Sequence, residues 1–375
     1  MSIYAFAEIK NGKVERIYAS AKYPSKQRGN LFFDSEKVPD LRKSLDLPKY
    51  MNNFYSLVAF RPTHILVSRD VLGGKPLYYN TETLTFSSFK KYFDVECAEV
   101  KPGESLKIDY TGRILDRKIV QFEDVFVKER VDLSEAEEKI ELALKSFKFK
   151  NACLAFSGGL DSSLLASFYD VELISVTANK KEEEWIKKSA ESIGKKVKIH
   201  VFDENEVKDA VKAVASIIET DNKLQLSIAI PIYITLKFAR DMGYKEVIFG
   251  QGADELFGGY KKYESLNEDE LEKTLLCDVK NIGRSNLVRD TKLSYTLGVR
   301  ILTPYLQWSI ISVAINIPAN YKIRRHNGEV TRKYFLREFA KKFIPKDIAY
   351  RDKKAIQYST KTAKLLSKIL NKTKN

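Results

Sequence analysis

The sequence predicts an α/β protein with two domains, an antiparallel β-rich domain over residues 1–125 and a doubly wound parallel-sheet domain over residues 130–375. The chain has 375 residues, which is long for one ordinary domain and comfortable for two. Up to about residue 120, short alternating segments are separated by turns, which is typical of antiparallel sheet. Beyond residue 130, strand-like and helix-like segments alternate, which is typical of a parallel sheet.

The first half contains segments in which apolar and polar residues alternate with the period of a strand. Asn11-Gly12 lies between the first two segments and is a strong hairpin signal, and residues 109–112 predict a second tight turn. These observations predict an antiparallel arrangement. The predicted strands are residues 3–9, 14–20, 54–60, 64–68, 76–79, 84–88 and 105–110.

The second half opens with a predicted helix near residue 132, with Ser134 as its N-cap and Glu137 in its first turn. Strands and helices then alternate as far as the strand at residues 246–249. After about residue 260 we expect helices, with a loop near residues 278–295. The other predicted strands are 152–156, 171–177 and 197–202. A glycine-rich turn follows the first of them and leads into a helix that ends at residue 168, and the later predicted helices are 181–193, 206–218 and 230–242.

The charge of the chain is unevenly distributed. The whole sequence carries a formal charge of +14, and residues 332–375 hold 14 Lys/Arg against 3 acidic residues. Such a tail can attract nucleic acid. The pattern is better explained by the solvated face of a helix, while a polyanionic partner stays open. Lysines at 361, 364, 368 and 372 lie opposite apolar residues at 365, 366, 369 and 370.

Several function classes are disfavoured by the composition. No apolar run reaches the roughly 18 residues that a membrane span needs, and no basic leader precedes an apolar segment, so we expect no membrane association and a cytoplasmic location. Cys97, Cys153 and Cys277 lie far apart without a CxxC motif, which argues against a disulfide framework or a zinc ribbon.

Residues 157–163 form the sharpest local motif, directly after the predicted strand at 152–156. Two glycines allow the backbone to approach a ligand closely, and the helix that follows presents free N–H groups to an anion. Asp161 would suit a Mg²⁺ ion that bridges phosphates. The motif is neither a Walker A loop nor GxGxxG. It predicts a phosphate-binding turn, and its sequence is Ser157-Gly158-Gly159-Leu160-Asp161-Ser162-Ser163.

This run resembles the pyrophosphate loop of the PP-loop ATP pyrophosphatase superfamily, whose members split ATP between the α- and β-phosphates and leave AMP on a substrate oxygen. The resemblance implies ATP and Mg²⁺ as cofactors. It implies that Asp161 and Asp254 hold the metal. The residues implied to bind the β- and γ-phosphates are Ser157, Gly158, Gly159, Ser162 and Ser163.

A second glycine-rich turn narrows the resemblance. Residues 249–260 read Phe-Gly-Gln-Gly-Ala-Asp-Glu-Leu-Phe-Gly-Gly-Tyr and resemble the G-E-G-x-D-E-L-F-G-G-Y signature of the asparagine synthetase family. Residues 231–233, 289–292, 304–306 and 351–359 resemble further segments of that family in the same order.

The resemblance also implies roles for individual residues. Val176 and Ile232 would flank the adenine, and Gly250 would offer backbone contacts to AMP. Lys353 would stabilise the charge that develops on the α-phosphate. The remaining candidate catalytic residues, which would face the acceptor or tune Lys353, are Gln251, Glu255 and Asp290.

Residues 68–79 resemble the R-D-x-L-G-x-[RK]-P-L-Y-Y stretch of the glutaminase domain of the same family, which implies an Ntn-hydrolase-like fold for the first domain. The family uses an N-terminal cysteine as nucleophile, whereas position 2 is Ser2, and a hydroxyl is the weaker nucleophile. The RGPD-type stretch that helps to hold glutamine is not recognisable in residues 20–60. We therefore expect a retained glutaminase-like domain without activity.

The second domain also departs from the family pattern. Gln251 stands where the family has a glutamate, and an amide cannot accept a proton as a carboxylate can. In the segment around Pro304 the family's Glu, Arg and Asp are replaced by Arg300, Leu302 and Gln307. The nucleotide end of the pattern is kept and the acceptor end is altered.

The resemblance implies an ATP-dependent, AMP- and pyrophosphate-forming amide ligase that adenylates a carboxylate for attack by ammonia or an amine, with homodimer formation left open. Two alternatives remain from the sequence. One is a PP-loop enzyme that modifies RNA held by the basic C-terminal segment, and the other is a nucleotide-binding protein without turnover.

Overall fold

The computed structural model describes residues 2–10 and 13–372. Among the described residues up to 127, one short α-helix, α1 (Leu47–Tyr50), and three short 3-10 turns interrupt a series of strands. The strands are β1 (Ile3–Lys10), β2 (Lys13–Ala21), β3 (Lys26–Arg28), β4 (Leu31–Asp34), β5 (Ser56–Phe60), β6 (Ile65–Arg69), β7 (Tyr78–Asn80), β8 (Thr85–Ser87), β9 (Ala98–Glu99), β10 (Glu104–Ile108) and β11 (Ile114–Ile119).

From residue 128 onward helices dominate. The strands are β12 (Ala152–Ala155), β13 (Glu172–Thr177), β14 (Val197–Val201), β15 (Glu246–Ile248), β16 (Arg300–Leu302), β17 (Ile323–His326) and β18 (Glu329–Arg332). The helices are α2 (Leu133–Ser146), α3 (Leu160–Phe168), α4 (Lys180–Ser192), α5 (Glu204–Ile218), α6 (Lys223–Asp241), α7 (Ala253–Phe257), α8 (Glu268–Ile282), α9 (Val288–Leu297), α10 (Trp308–Ala314), α11 (Ala319–Lys322), α12 (Tyr334–Ala340), α13 (Lys346–Ala349), α14 (Ile356–Ser359) and α15 (Thr362–Lys372).

The chain divides into two compact units, and the division differs from the predicted one in a single segment. The first unit is Met1–Val127 with Lys280–Arg300, and the second is Lys128–Val279 with Ile301–Asn375. Residues 280–300, which the prediction assigns to the domain over residues 130–375, thus belong to the first unit. A β-carbon on Gly283 would lie 1.9 Å from the carbonyl oxygen of Leu72, so only glycine allows this close approach.

The loop predicted near residues 278–295 is wrong. The helix α8 ends at Ile282, a π-helical turn covers Gly283–Leu287, and α9 follows at once. Residues 278–286 are mostly polar, which is why the sequence predicts a loop there. Helix propensity does not include the tertiary packing that stabilises a polar helix.

Two antiparallel sheets form the first unit, as the alternating pattern predicts. Their strand orders are β2-β1-β8-β7-β9 and β11-β10-β6-β5-β4-β3. The strands β1 and β2 pair antiparallel from Ile3 opposite Ala21, while the predicted turn residues Asn11 and Gly12 lie outside the described residues. The predicted turn at residues 109–112 is present, with Gly112 at a φ of +87°.

The central strands of the larger sheet in the first unit are buried on both faces, whereas its edge strands β3 and β11 are exposed. One face contributes Val58, Val67 and Leu106 to a core that also contains Ile3 and Phe86 of the smaller sheet. The opposite face packs its own apolar residues against the region of α1. This burial explains why β5 and β6 read as continuous apolar runs.

The second unit contains a sheet of strand order β14-β13-β12-β15-β16, in which β12 to β15 pair in parallel, in agreement with the predicted doubly wound class. The strand β12 pairs in parallel with β13 on one side and β15 on the other. From β12 the chain adds β13 and β14 on one side of the sheet and then returns to add β15 on the other side of β12. The strand order therefore reverses between β12 and β15. In open parallel sheets, ligands bind at the carboxyl ends of strands at such a reversal.

Two helices of the second unit, α2 and α6, begin at residues other than the predicted ones. The N-cap of α2 is Asp132, whose side chain accepts hydrogen bonds from the backbone N–H groups of Ser134 and Glu135, so the predicted cap Ser134 lies inside the helix. The helix α6 begins at Lys223, well before the predicted residue 230, and contains Pro231 in its interior.

The C-terminal helix α15 packs against α5 and α6. It buries Leu366 and Ile369, whereas Lys364 and Lys368 are exposed. The favoured explanation of the basic tail as a solvated helical face fits this packing. Within residues 2–10 and 13–372, no helix has the length and apolar character that crossing a membrane requires.

Candidate functional site

The predicted phosphate loop joins β12 to the N-terminus of α3, at the carboxyl end of the central strand. Gly158 has a φ of +65°, a conformation that favours glycine. A β-carbon there would lie 2.8 Å from Ser189 Oγ and 2.9 Å from Trp185 Nε1. Glycine is therefore required at position 158 both by the backbone conformation and by the packing of α4.

The three serines of the loop have different surroundings. The Ser162 hydroxyl is buried and tightens the loop, because it accepts from the Ser157 N–H at 3.1 Å and donates to the Gly159 carbonyl at 3.3 Å. Ser163 is fully buried, and its hydroxyl oxygen has no hydrogen-bond partner. Ser157 alone of the three is exposed. Two of the three hydroxyls are thus buried, and the predicted binding of phosphates by Ser157, Ser162 and Ser163 stays a prediction.

Two side chains outside the motif hold the carbonyl groups of this loop. Trp185 Nε1 donates to the Gly158 carbonyl at 2.8 Å. Arg351 donates to the Ser157 carbonyl at 3.2 Å and lies over the Trp185 ring, 4.4 Å from its centroid. In a trans peptide the N–H points opposite to the C=O. The N–H groups of Gly158 and Gly159 are therefore directed away from Trp185 and Arg351, and the Gly159 N–H donates to the Ser157 hydroxyl at 3.4 Å.

A buried carboxylate anchors the segment that carries Arg351. Glu182 lies 2.5 Å from the Arg351 guanidinium and 2.5 Å from the Lys354 ammonium. Burial raises the pKa of Glu182, but the hydrogen bonds from Lys354 and Arg351 outweigh it, and the pKa lies below its ordinary value. This arrangement, which we call the Arg351 clamp (Glu182, Trp185, Arg351 and Lys354), fixes the segment that contains Lys353.

The second glycine-rich turn lies directly against the first. A β-carbon on Gly250 would lie 3.0 Å from the β-carbon of Asp161 and 3.6 Å from the backbone nitrogen of Ser162. Gly252 has a φ of +94°, and a β-carbon there would lie 2.3 Å from a methyl carbon of Leu306. The reversal of strand order between β12 and β15 thus brings both motifs together at one edge of the sheet.

Four charged side chains meet where the two turns touch. Lys333 Nζ lies 2.7 Å from both carboxylate oxygens of Asp161 and 2.7 Å from Asp254 Oδ1. Lys353 Nζ contacts Asp254 Oδ2 and lies 3.6 Å from Asp161. We call these residues the Asp–Lys cluster (Asp161, Asp254, Lys333 and Lys353). Two carboxylates and two ammonium groups balance in charge.

The cluster has consistent electrostatics. Burial raises the pKa of Asp254, but the ammonium groups of Lys333 and Lys353 lower it by more. The net pKa of Asp254 therefore lies well below the ordinary value. Burial lowers the pKa of Lys353, whereas Asp254 and Asp161 raise it, and the net pKa is above the ordinary value. Asp254 and Lys353 are therefore both charged at neutral pH.

Lys333 is the member that sequence reasoning missed, because it was counted as one lysine in a basic tail. Its side chain is 3% exposed, which sets it apart from the solvated lysines of α15. Its backbone has a φ of 54°, an uncommon conformation for a residue with a side chain. A β-carbon on Gly259 would lie 2.4 Å from Lys333 Cε, so the second motif makes room for this lysine.

The other predicted site residues are distributed as follows. Glu255 is buried beside the cluster, and burial and Asp254 raise its pKa. Gln251 is half-buried in the second turn. Val176 and Ile232 are both buried on β13 and α6, which pack together. Asp290 belongs to the first unit, ion-paired with Arg289 at 2.7 Å, and its predicted role beside Lys353 stays a prediction.

The Asp–Lys cluster fits the Mg²⁺ ion that the resemblance implies. Asp161 and Asp254 are close enough to share one cation, since both contact the same ammonium nitrogen. Carboxylate oxygens are the ligands that Mg²⁺ prefers, and it is commonly held by one or two carboxylates together with substrate phosphates. Among the described residues, no group of three or more His, Cys, Asp or Glu could hold a metal by itself.

Ser2, which stands at the position of the family's glutaminase nucleophile, lies in the first unit. The Ser2 side chain is fully buried, and its hydroxyl hydrogen-bonds the hydroxyl of Ser25. In the same unit, the motif at residues 68–79 contains a structural turn, because buried Asp70 accepts from the backbone N–H groups of Tyr55, Leu72 and Gly74. The Ser2 hydroxyl is thus packed in the interior of the unit.

Comparison with known proteins identifies the family. The Asparagine synthase family model matches residues 143–269 and 263–374, which include both glycine-rich turns and the Asp–Lys cluster. The chain belongs to the asparagine synthase family. The match covers more than half of the sequence and confirms the resemblance drawn from the motifs.

Individual asparagine synthetases show the same relationship. A putative glutamine-hydrolyzing asparagine synthetase of Methanocaldococcus jannaschii is 30% identical, over 82% of this chain and 69% of that protein. Asparagine synthetase B of Escherichia coli is 26% identical, over 82% of this chain and 61% of its own length. An asparagine synthetase of Lotus japonicus is 29% identical, over 52% of this chain and 37% of its own length. The chain thus spans between about a third and two thirds of these asparagine synthetases.

Solved structures add little to this identification. The NMN synthetase of Francisella tularensis aligns with 52% of this chain at 11% identity and a TM-score of 0.25, which is too low to support an argument.

The first prediction for this asparagine synthase family member concerns Lys333. The substitution Lys333→Met leaves the two carboxylates of the cluster with the ammonium of Lys353 alone, and breaking a buried ion pair costs about 3–5 kcal/mol. In thermal unfolding without divalent cations, we expect a clearly lowered midpoint. Added MgCl₂ should recover more stability in this variant than in the wild type, since the freed carboxylates can bind the ion.

Lys342→Met is the matched control, because Lys342 contacts Glu137 at an exposed position. An exposed pair contributes about 1 kcal/mol or less, so this variant should stay near wild-type stability with no added response to MgCl₂. A Lys333→Met protein that is as stable as the wild type without Mg²⁺ would contradict the role of the cluster.

The second prediction concerns the Arg351 clamp. The only other tryptophan is Trp308, so a Trp308→Phe background leaves Trp185 as the single indole reporter. Adding Arg351→Gln removes the guanidinium from the ring, and we expect a red-shifted emission and stronger quenching by acrylamide.

Lys354→Gln is the comparison for this experiment, since Lys354 shares the Glu182 carboxylate and has no described contact with the loop carbonyls or the indole. Its emission should stay close to that of the background protein. Equal spectra for the Arg351 and Lys354 variants would show that Arg351 does not cover Trp185.

Proposed function

We propose that this protein is an ATP-dependent, AMP- and pyrophosphate-forming amide ligase that uses ammonia or another amine. The observation that supports the proposal most directly is the Asp–Lys cluster, which stands where the phosphate loop meets the second glycine-rich turn. Membership of the asparagine synthase family supports the same class of reaction.

The adenylation step follows from the placement of the charges. A carboxylate oxygen of the acceptor attacks the α-phosphorus of ATP, the new O–P bond forms, and the bond to the β-phosphate bridging oxygen breaks. The leaving pyrophosphate would be received by the N–H groups of Gly158 and Gly159 at the start of α3. Mg²⁺ held by Asp161 and Asp254 would offset the charge of the pyrophosphate. Lys353 would stabilise the charge on the α-phosphate.

The amide bond forms in a second step. The amine attacks the carbonyl carbon of the acyl adenylate, AMP departs, and the nitrogen releases a proton. Gln251 cannot accept that proton, because an amide is not a base at neutral pH. The proton would therefore pass to water or to excess amine, and we expect the rate to rise with pH as more of the nitrogen donor becomes unprotonated.

Free ammonia or an amine is the proposed nitrogen source, with no hydrolysis of glutamine in the first unit. The buried Ser2 hydroxyl supports this proposal, because a nucleophile has to reach the amide carbon of its substrate. Lys75 lies 3.0 Å from Asp34, and Tyr295 donates to Asp34 at 2.7 Å, so the charges of Lys75 and Asp34 already compensate each other.

The acceptor is proposed to be a carboxylate recognised by a different set of groups from that of the family pattern. Gln307 donates to the carbonyls of Ala143 and Pro304 at 3.0 and 3.1 Å, which is a structural role. Leu302 is buried and cannot offer a charge. These replacements favour an acceptor other than one that the family's Glu, Arg and Asp would select.

The test is a pyrophosphate-release assay with MgATP, ammonium chloride and a panel of carboxylic acids that includes aspartate. We expect release above background with at least one acid, and we expect the matching amide and AMP in equal amounts. Asp161→Asn should reduce the rate by at least a hundredfold, since it removes one of the two carboxylates of the cluster.

Glu137→Gln, which changes a partly exposed acid outside the Asp–Lys cluster, should keep the wild-type rate. Glutamine in place of ammonium chloride should give no amide. A protein that binds ATP and releases no pyrophosphate with any acid would exclude the ligase and favour a nucleotide-binding protein without turnover. Recovery of turnover in Gln251→Glu would then locate the defect.

A further inference from the structure

The second unit contains a small cavity that shares no residue with the Asp–Lys cluster or the phosphate loop. It is lined by α8, by α11 and by the segment that follows α10. Three lining residues are charged (Lys128, Glu272 and Lys322), and the others are aliphatic, such as Leu275 and Ile317. The cavity has a volume of about 10 Å³, which is room for one water-sized group.

Lys322 is the most deeply buried charged residue of this cavity. It is the last residue of α11 and is 4% exposed. Within residues 2–10 and 13–372, no hydrogen bond or ion pair reaches its Nζ atom. Burying an ammonium group without a counter-ion is costly, and a buried lysine reduces this cost when it loses its proton.

The surroundings of Lys322 favour the neutral amine. Burial lowers the pKa of Lys322 to about 7, Lys128 lowers it as well, and Glu272 opposes both. The helix α12 and the strand β17 also pack against α11, but none of their residues lines the cavity. At neutral pH a substantial fraction of Lys322 is therefore a neutral amine, which is a nucleophile.

Lys128 makes the cavity suitable for an anionic group. Its ammonium donates to Glu272 Oε1 at 2.8 Å and to the Ile315 carbonyl at 2.7 Å. An ammonium group has three donors, so one remains for a group inside the cavity. Lys128 affects the pKa of Lys322 more strongly than Glu272 does, which means that the pair creates a net positive potential at Lys322.

The size and chemistry of the cavity select the molecule that it could take. An electrophile has to be small and uncharged to reach Lys322, and carbon dioxide is both. Its product with an amine is an anion, which the positive potential from Lys128 would stabilise. The side chains of Lys128 and Glu272 are 46% and 56% exposed, so the cavity opens to solvent beside them and a carboxylate group can extend that way.

We propose that Lys322 reacts reversibly with carbon dioxide to form a carbamate. The lone pair of Nζ forms a bond to the carbon of CO₂, one C=O π bond breaks and its electrons move to oxygen, and Nζ releases one proton to water. The carbamate then accepts a hydrogen bond from the remaining N–H of Lys128. The proposal is independent of the reaction that the protein catalyses.

The first test is ¹³C NMR of the full-length protein in ¹³C-bicarbonate equilibrated with ¹³CO₂, at about pH 8. An ordinary lysine has a pKa of about 10.4 and is almost entirely protonated under these conditions, so it reacts little. We expect a carbamate resonance from Lys322, separate from that of bicarbonate. The α-amino group of the chain, whose pKa is about 8, gives a second resonance that serves as an internal reference.

Three variants assign the resonance. Lys322→Met keeps an apolar side chain of similar length and should lose the resonance while the reference stays. Lys128→Met should weaken it severalfold, because the carbamate loses its counter-ion and the pKa of Lys322 rises. Lys187→Met, which changes a lysine on α4 that pairs with Glu183 at 2.6 Å, should keep the wild-type signal. Circular dichroism and thermal unfolding check that each variant is folded.

A trapping experiment on the wild type does not depend on the folding of any variant. Triethyloxonium transfers an ethyl group to a carbamate oxygen, diethyl ether departs, and the stable ethyl carbamate is located by peptide mass spectrometry. We expect this label on Lys322.

The proposal would be overturned by a wild type whose only carbamate is on the α-amino group, or by a trapped label confined to other amines. A resonance that persists in Lys322→Met would also overturn it. A signal of unchanged strength in Lys128→Met would contradict the counter-ion that the proposal requires.

Discussion

The carboxylates of Asp161 and Asp254 can lie side by side only because two lysine ammonium groups compensate their charge. Without Lys333 the two acids would repel each other in a partly buried site, and without the acids the 3% exposed Lys333 side chain would be an uncompensated buried charge. The rest of the site follows from this balance. A magnesium nucleotide would bring its own cation and anion into the same place, so ammonium groups already held there would meet phosphate oxygens without new burial of charge.

The fold makes this meeting possible at the reversal of strand order in the second unit. The phosphate loop leaves β12 and the second glycine-rich turn leaves β15, and these strands are neighbours. Glycines at 250 and 259 allow the backbone to come close to Asp161 and Lys333. The Arg351 clamp then fixes the irregular segment that carries Lys353. Each feature acts on geometry, and together they bring residues from four separate parts of the chain to one point.

Much of this could be predicted from the sequence, because both glycine-rich motifs are local and follow recognisable strands. The parallel sheet, the family and the pairing of Asp161 with Asp254 at one edge follow from them. Lys333 could not be predicted, since only its burial distinguishes it from the solvated lysines of α15. The buried hydroxyls of Ser162 and Ser163 and the helical segment at residues 280–297 also depend on tertiary packing, which a propensity or a motif does not contain.

The central claim is that the Asp–Lys cluster and the N–H groups of the phosphate loop bind a metal–nucleotide complex. The most direct measurement is a crystal structure with Mn²⁺ and the non-hydrolysable α,β-methylene analogue of ATP, with anomalous scattering used to locate the metal. The account predicts a Mn²⁺ peak between the carboxylates of Asp161 and Asp254 and the triphosphate against Gly158 and Gly159. Well-ordered nucleotide bound at another place, with the cluster unchanged, would contradict it.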